Sequence, residues 1–396
     1  MAALLIRPAQ LIDGSGGPAL QRREVLVEGE RIARVGSRGS LDADGAEVFE
    51  SSGTLLPGLI NMHAHLRGGA RGDPEMTDEM ALLRMAQNAR FSLRWGCTSL
   101  RDAGCPETFS QTVRDGIAAG LVAGPRVWAS GRIITTSAGH GWRRGRIAND
   151  AGDMRRAVRL NVEEGVDTIK IAATGGGGTP GSNVGMPQYD ANELATGVYE
   201  AHRLHKRVLV HCNGSIGTRN AVEAKVDTVE HIGWMGPDGK LDYDGAVADL
   251  MVRHDTTVVP TMSVWYRPGY DDWDRLSADQ KKMRAAREDR TKAWLDMHRR
   301  GVRFATGTDT WDPIQRELEL MVSAMGVTPM DAIVAATRNS AVGLGALADL
   351  GTIEQGKYAD LLLVEADPLA DIANLRKVAR VWKGGALVVE GGVVLS

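Results

Sequence analysis

The chain has 396 residues, 43% hydrophobic and 24% charged, with a formal net charge of −3 and a pI near 6.3. Lysine and arginine are scattered, so the balance excludes a phosphate-backbone binder, and no run approaches the roughly 20 apolar residues needed to cross a bilayer. Cys97, Cys105 and Cys212 form no CxxC pair and no bridge framework; with an initial apolar run too short for a secretory leader, this predicts a cytoplasmic protein.

Residues 1–54 read as short strands separated by glycine turns, with no helical period. From residue 55 to about 345 the pattern becomes strand, then helix, repeatedly. Strands are predicted at 55–63, 98–102, 126–130, 168–172, 207–211, 228–231, 257–261 and 303–306. Helical periods fall at 78–95, 107–120, 150–165, 190–205, 215–225, 244–254, 277–300 and 313–325. Eight such units match the size of an α/β (β/α)8 TIM barrel, and a doubly wound open sheet is the less economical alternative. A further helix is predicted over 328–344, opened by Thr328-Pro329 and ended by Gly343 and Gly345. Residues 346–396 return to short strands. Each β-rich end is too short to bury a core alone, so 1–54 and 346–396 are predicted to pair into one discontinuous sandwich flanking the barrel domain, 55–345.

Function in a TIM barrel sits at the C-terminal ends of the strands. The first predicted strand ends in His63-Ala64-His65, whose i, i+2 spacing puts both imidazoles on one face. The fourth carries Lys170 in an otherwise apolar run, where an unpaired ammonium is costly. The fifth ends in His211, the sixth in His231, and the eighth in Asp309. Singly, each has a plain structural explanation: a core histidine, a snorkelling lysine, a helix cap. Together at one end of one barrel they read as a metal centre.

The order HxH, Lys, His, His, Asp on strands 1, 4, 5, 6 and 8 resembles the binuclear branch of the amidohydrolase superfamily. The similarity spans nearly the whole chain and includes the closing run Gly356-Lys357-Tyr358-Ala359-Asp360-Leu361-Leu362. The stretch Ile169-Lys170-Ile171-Ala172-Ala173-Thr174-Gly175-Gly176 and the segment Ser137-Ala138-Gly139-His140-Gly141 are similar to those of its prolidase-like, Xaa-Arg/Lys carboxypeptidase-like and ochratoxin-amidase group. The resemblance implies two divalent ions, zinc being the expected one. It gives His63, His65 and Asp309 to the first ion and His211 and His231 to the second, with Lys170 carboxylated by CO2 to a bridging carbamate. It further implies that a hydroxide between the ions attacks an amide carbonyl while Asp309 carries the proton to the leaving amine. The expected substrate is a small peptide-like or N-acyl amino acid molecule, with homo-oligomeric assembly and no nucleic-acid or membrane partner. Lactone, ester or phosphotriester hydrolysis, or deamination, on the same centre stays open as the alternative. A metal-free scaffold does not account for a full ligand set.

Outside the ligand set, His140 is placed by the resemblance against the substrate carbonyl. Asn213 departs from the His or Tyr usual in relatives, and Asn61 stands where they often carry Asp. Tyr266 and Arg267, in an aromatic insertion running from Trp265 to Trp273, are expected to contact substrate, and that insertion to act as a lid. The loop 175–182 lacks the Gly-Lys-Ser/Thr ending of a phosphate loop and is read as a flexible substrate cover.

Overall fold

The apolar run after residue 53, predicted as one strand, is cut at Gly58 into two that belong to different sheets. Thr54–Pro57 pairs antiparallel with Leu361–Val364, whereas Leu59–Ala64 pairs parallel with Cys97–Asp102. A Cβ at residue 58 would lie 2.1 Å from Thr98 Oγ1, so only glycine allows the chain to pass here. The computed structural model describes residues 3–395 apart from 43, 69–75, 267–273, 275 and 277.

The sandwich has two sheets. Leu4–Arg7 lies between Arg23–Glu28 and Glu47–Glu50 in a four-stranded sheet completed by Arg31–Ser37. The second sheet has seven strands and mixes both chain ends: Val393–Val394, Ala386–Glu390, Val378–Lys383, Leu361–Val364, Thr54–Pro57, Gln10–Leu11 and Leu20–Gln21. Its central strands are buried on both faces, which explains their unbroken apolar sequence. Leu361 and Leu363 join Leu55 and Trp382 in the sandwich core, while Leu362 and Val364 join Leu56 in the core of the barrel.

The eight barrel strands are Leu59–Ala64, Cys97–Asp102, Arg126–Ala129, Thr168–Ala172, Arg207–Gly214, Thr228–Met235, Thr257–Val259 and Arg303–Phe304. They form two parallel ladders, strands one to three and four to eight. Short strands interrupt the ring twice, and hydrogen bonds outside the ladders span the gaps: Asp167 N–H donates to Ala129 O at 2.8 Å, Met62 N–H to Thr306 O at 2.8 Å, and Asp309 N–H to His63 O at 2.7 Å. The eighth strand is regular only over Arg303–Phe304, shorter than predicted, although Ala305 N–H still donates to Val258 O at 2.8 Å before the chain turns left-handed at Asp309.

The predicted helix over 277–300 divides into Ala278–Ala285 and Arg287–Arg299. The one over 313–325 begins as an α-helix, Gln315–Leu320, and widens into a π turn, Met321–Met325. The one over 328–344 starts at a capping box, Thr328 with Asp331, and contains a π turn, Ala335–Asn339. A hydrophobic period does not distinguish a π turn from an α turn. No helix among the described residues is long and apolar enough to cross a membrane.

Candidate metal centre

Five of the nine histidines lie in a continuous row at the C-terminal mouth of the barrel. Ring centroids are 5.3 Å apart for His65 and His63, 4.8 Å for His63 and His231, 4.5 Å for His231 and His211, and 4.2 Å for His211 and His140. The parallel register aligns the ends of strands four to six, and those ends carry Lys170, His211 and His231.

Asp309 joins the row from the eighth strand's turn. Its Oδ1 lies 3.2 Å from His63 Nε2 and 3.0 Å from His65 Nε2. Burial opposes its ionisation, but the imidazoles of His63 and His65 beside it prevail and hold the carboxyl well below the usual carboxylate range. Its N–H donates to His63 O at 2.7 Å, and a Cβ on Gly307 would lie 2.6 Å from His63 Cβ, so the turn seats against the first strand only with glycine there. Asp309 (φ 54°), His231 (φ 69°) and Thr261 (φ 51°) all adopt left-handed backbone. Each such residue costs about 1–3 kcal/mol, which the surrounding bonds offset.

The outer nitrogens of the imidazoles are already engaged. Nδ1 of His63 meets Glu230 at 2.6 Å, Nδ1 of His65 meets Gly104 O at 3.2 Å, and Nδ1 of His231 meets Thr261 Oγ1 at 2.8 Å. In His211 it is Nε2 that is taken, by Gly175 O at 3.2 Å and Asn213 at 3.0 Å. This leaves Nε2 of His63, His65 and His231 and Nδ1 of His211 for the centre. Burial keeps His211 and His231 neutral, well below the ordinary imidazole value. Ligand atoms of His63, His231 and Asp309 all lie within 4.8 Å of one another.

Lys170 is 2% exposed, and its Nζ has no hydrogen-bond partner among the described residues. Burial lowers it to about 8, against the pull of Glu230 and Asp309. An amine so placed fits a role in which it is modified or ligated. The spacing fits as well: donors on one tetrahedral ion with bonds of about 2.0–2.1 Å stand roughly 3.3 Å apart, close to the 3.0 and 3.2 Å seen around Asp309 Oδ1.

His140 stacks on His211 with 22° between the planes, and its Nδ1 lies 3.1 Å from Thr179 Oγ1. Burial, then the charge of Lys170, lowers it to about 4, so it is a neutral imidazole. The glycine loop expected to be flexible is pinned: Gly176 N–H donates to Ser182 Oγ at 3.2 Å, and a Cβ at residue 176 would meet the His140 ring at 2.4 Å. Asn213 is buried beside His211, and its Oδ1 has no partner among the described residues. Tyr266 contacts the helix Arg287–Arg299: its hydroxyl is 3.4 Å from Thr291 Oγ1, and Arg287 lies 4.5 Å over its ring. Trp265 is buried, with Arg290 4.4 Å over its ring. Arg267 and most of the expected lid lie outside the described residues.

Four supporting residues escaped the sequence reading. Glu230 and Arg101, both buried, brace His63 from below. Thr261 holds His231, and Glu317 accepts from Met262 N–H at 2.7 Å and Ser263 N–H at 2.8 Å, fixing the turn that carries Thr261. The available signal was a charge inside an apolar barrel strand, as in Leu100-Arg101 and Val229-Glu230.

This fold and donor set are those of a metal-dependent barrel hydrolase, and the amidohydrolase family model matches residues 54–388. The chain belongs to the amidohydrolase family, hydrolases acting on C–N bonds. Ochratoxinase of Aspergillus niger is 30% identical over 98% of this chain and 87% of its own length. Its crystal structure superposes with a TM-score of 0.89 at 28% identity, covering 99% of this chain and 97% of that one. A Xaa-Pro dipeptidase with methionine bound in its active site has a TM-score of 0.89 at 29% identity, covering 98% of this chain and 100% of its own.

Proposed function

We propose that this chain hydrolyses the amide bond of a small peptide-like or N-acyl amino acid substrate at a centre of two divalent ions, zinc by preference, held by His63, His65, Lys170, His211, His231 and Asp309. The observation that carries the reading is Lys170: a buried amine without a partner among the described residues, beside imidazoles whose lone pairs face inward. A neutral lysine reacts with CO2 to give an anionic carbamate, which removes the penalty of the bare ammonium and supplies oxygen ligands. Bound ions supply Lewis acidity, polarising a carbonyl and acidifying water.

The chain's own groups do the rest. Asp309, ionised and on the substrate side of the row, accepts the proton released by the attacking water and delivers it to the departing amine nitrogen. His140 is neutral with Nδ1 tied to Thr179, which leaves its other nitrogen to donate to the substrate oxygen. Asn213, whose buried carboxamide oxygen has no partner among the described residues, is given the role of accepting from a substrate N–H. Arg267 is the cation this reading gives to a substrate carboxylate. The names of the relatives, an ochratoxinase and a Xaa-Pro dipeptidase, support an amide substrate flanked by amino acid structure.

The test is metal analysis coupled to a hydrolysis screen over Xaa-Pro and Xaa-Arg/Lys dipeptides, N-acyl amino acids, lactones and phosphotriesters. About two ions per chain and metal-dependent cleavage of an amide are expected. Activity confined to lactones, esters or phosphotriesters overturns the amide assignment while sparing the centre.

A further inference from the structure

Beneath the row of imidazoles lies a buried chain of charges. Glu230 is 0% exposed and Arg101 is 1% exposed. Oε2 of Glu230 meets His63 Nδ1 at 2.6 Å; Oε1 accepts from Arg101 Nη2 at 2.7 Å and from Thr228 Oγ1 at 2.6 Å. Arg101 is fixed in turn by its Nε–H, which donates to Met62 O at 2.7 Å, one residue before His63.

We propose that Arg101 and Glu230 are positioning residues that lock the tautomer of His63. The inference rests on the reading of His63 as a metal ligand. A guanidinium only donates, so the Glu230 oxygen facing it must accept. The other oxygen then faces His63 Nδ1 and, being a carboxylate oxygen, must receive its proton. The Nε2 lone pair is thereby left toward Asp309 and the centre. Both ends of Glu230 are committed, and Arg101 decides which end can change.

This makes Glu230→Gln more than a loss of charge. The amide oxygen stays with Arg101 and Thr228, because the alternative sets an NH2 group against a guanidinium. The NH2 then faces His63 Nδ1, which must become an acceptor, and the His63 proton moves to Nε2 where it blocks metal. Adding Arg101→Met frees the amide to turn its oxygen to His63, since the Thr228 hydroxyl can accept as well as donate.

The experiment is competition between the full chain, stripped and then titrated with Zn2+, and a chromophoric chelator. Glu230→Gln is expected to weaken zinc binding by about ten- to a hundredfold, and Glu230→Gln with Arg101→Met to regain most of it. Equal affinity of Glu230→Gln and wild type overturns the lock. So does a double variant no better than the single one when both stripped proteins melt like wild type. Should the variants misfold, nitrogen NMR of zinc-loaded wild type decides: a proton on His63 Nδ1 is expected, and one on Nε2 overturns the proposal. Wild type that takes up no zinc overturns the metal reading itself, and is distinguished from the other outcomes by that.

Discussion

The barrel mouth and the sandwich are built on opposite terms. In the sandwich, apolar side chains alternate between two cores, and left-handed backbone falls on glycines such as Gly29, Gly39, Gly384 and Gly385, with Arg22 the exception among the described residues. At the mouth, left-handed backbone falls on His231, Ile232, Trp234, Thr261 and Asp309, and the buried groups are polar. The sandwich is held by burial, which is tolerant of detail. The mouth is held by directed bonds, several of which also fix where a candidate ligand atom points. A substitution in the first region should therefore cost stability and spare chemistry, and one at an inward-facing candidate ligand of the second should do the reverse.

Lys170→Ala is the sharpest test of that division and carries the largest expected effect. It removes a buried amine that has no partner among the described residues, so the fold should not suffer. Activity should fall by about 10³-fold, the scale of losing a preorganised electrostatic element, and metal content should drop below that of wild type. Full metal content and rate in this variant would remove the carbamate assignment. Leu361→Ala probes the other side. Leu361 is fully buried in the sandwich core with Leu55 and Trp382, so truncation should cost about 2–5 kcal/mol in denaturant unfolding. The folded fraction should keep its kcat. A fall in kcat with unchanged metal content would mean that the two regions are coupled through the shared strand.

How much of this was legible in the sequence follows the same division. The strand order could be read because parallel strands are apolar runs, and the six residues proposed as ligands stood out because a His, Lys or Asp at the strand ends breaks that pattern. That the halves either side of Gly58 join different sheets could not be read, since Thr54–Pro57 and Leu59–Ala64 are both buried throughout and differ only in their partners. Glu230 and Arg101 were visible as misplaced charges but gained meaning only from their 2.7 Å bond across the barrel. Tyr266 stood out because it follows the seventh strand; its hydroxyl and ring face the helix beyond, at Thr291 and Arg287. Local pattern shows which residues are unusual; which of them meet is decided by register and by turns of left-handed backbone.

Metal removal separates the regions in a single sample. Free metal at a hundred times its dissociation constant stabilises the folded chain by about 2.7 kcal/mol, so chelation should lower the melting temperature accordingly. Hydrogen exchange should quicken at the strand ends around His63, His211 and His231, while the amides of Leu361–Val364 change only as far as global unfolding does. Equal loss of protection in both places by local opening would break the contrast.

The smallest expected effect is at Asn61, the letter for which the sequence supplied no reason. The side chain stitches the first strand to the eighth: its Oδ1 accepts from His63 N–H at 3.2 Å and Thr308 N–H at 3.3 Å, and its Nδ2 donates to Thr308 Oγ1 at 3.0 Å. Thr308 has already given its hydroxyl proton to Thr310 O at 3.0 Å, so it needs a donor at this position. Asn61→Asp supplies a second acceptor instead, leaving two oxygens face to face unless the hydroxyl turns away from Thr310. Either outcome forfeits one buried hydrogen bond, worth about 1 kcal/mol, measurable as a shift in the denaturation midpoint at constant m-value. Metal stoichiometry should hold, because His63 N–H and Thr308 N–H keep their acceptor. An Asn61→Asp variant as stable as wild type would show that packing, not this bond, joins the two strands, and would place the mouth closer to the sandwich in kind.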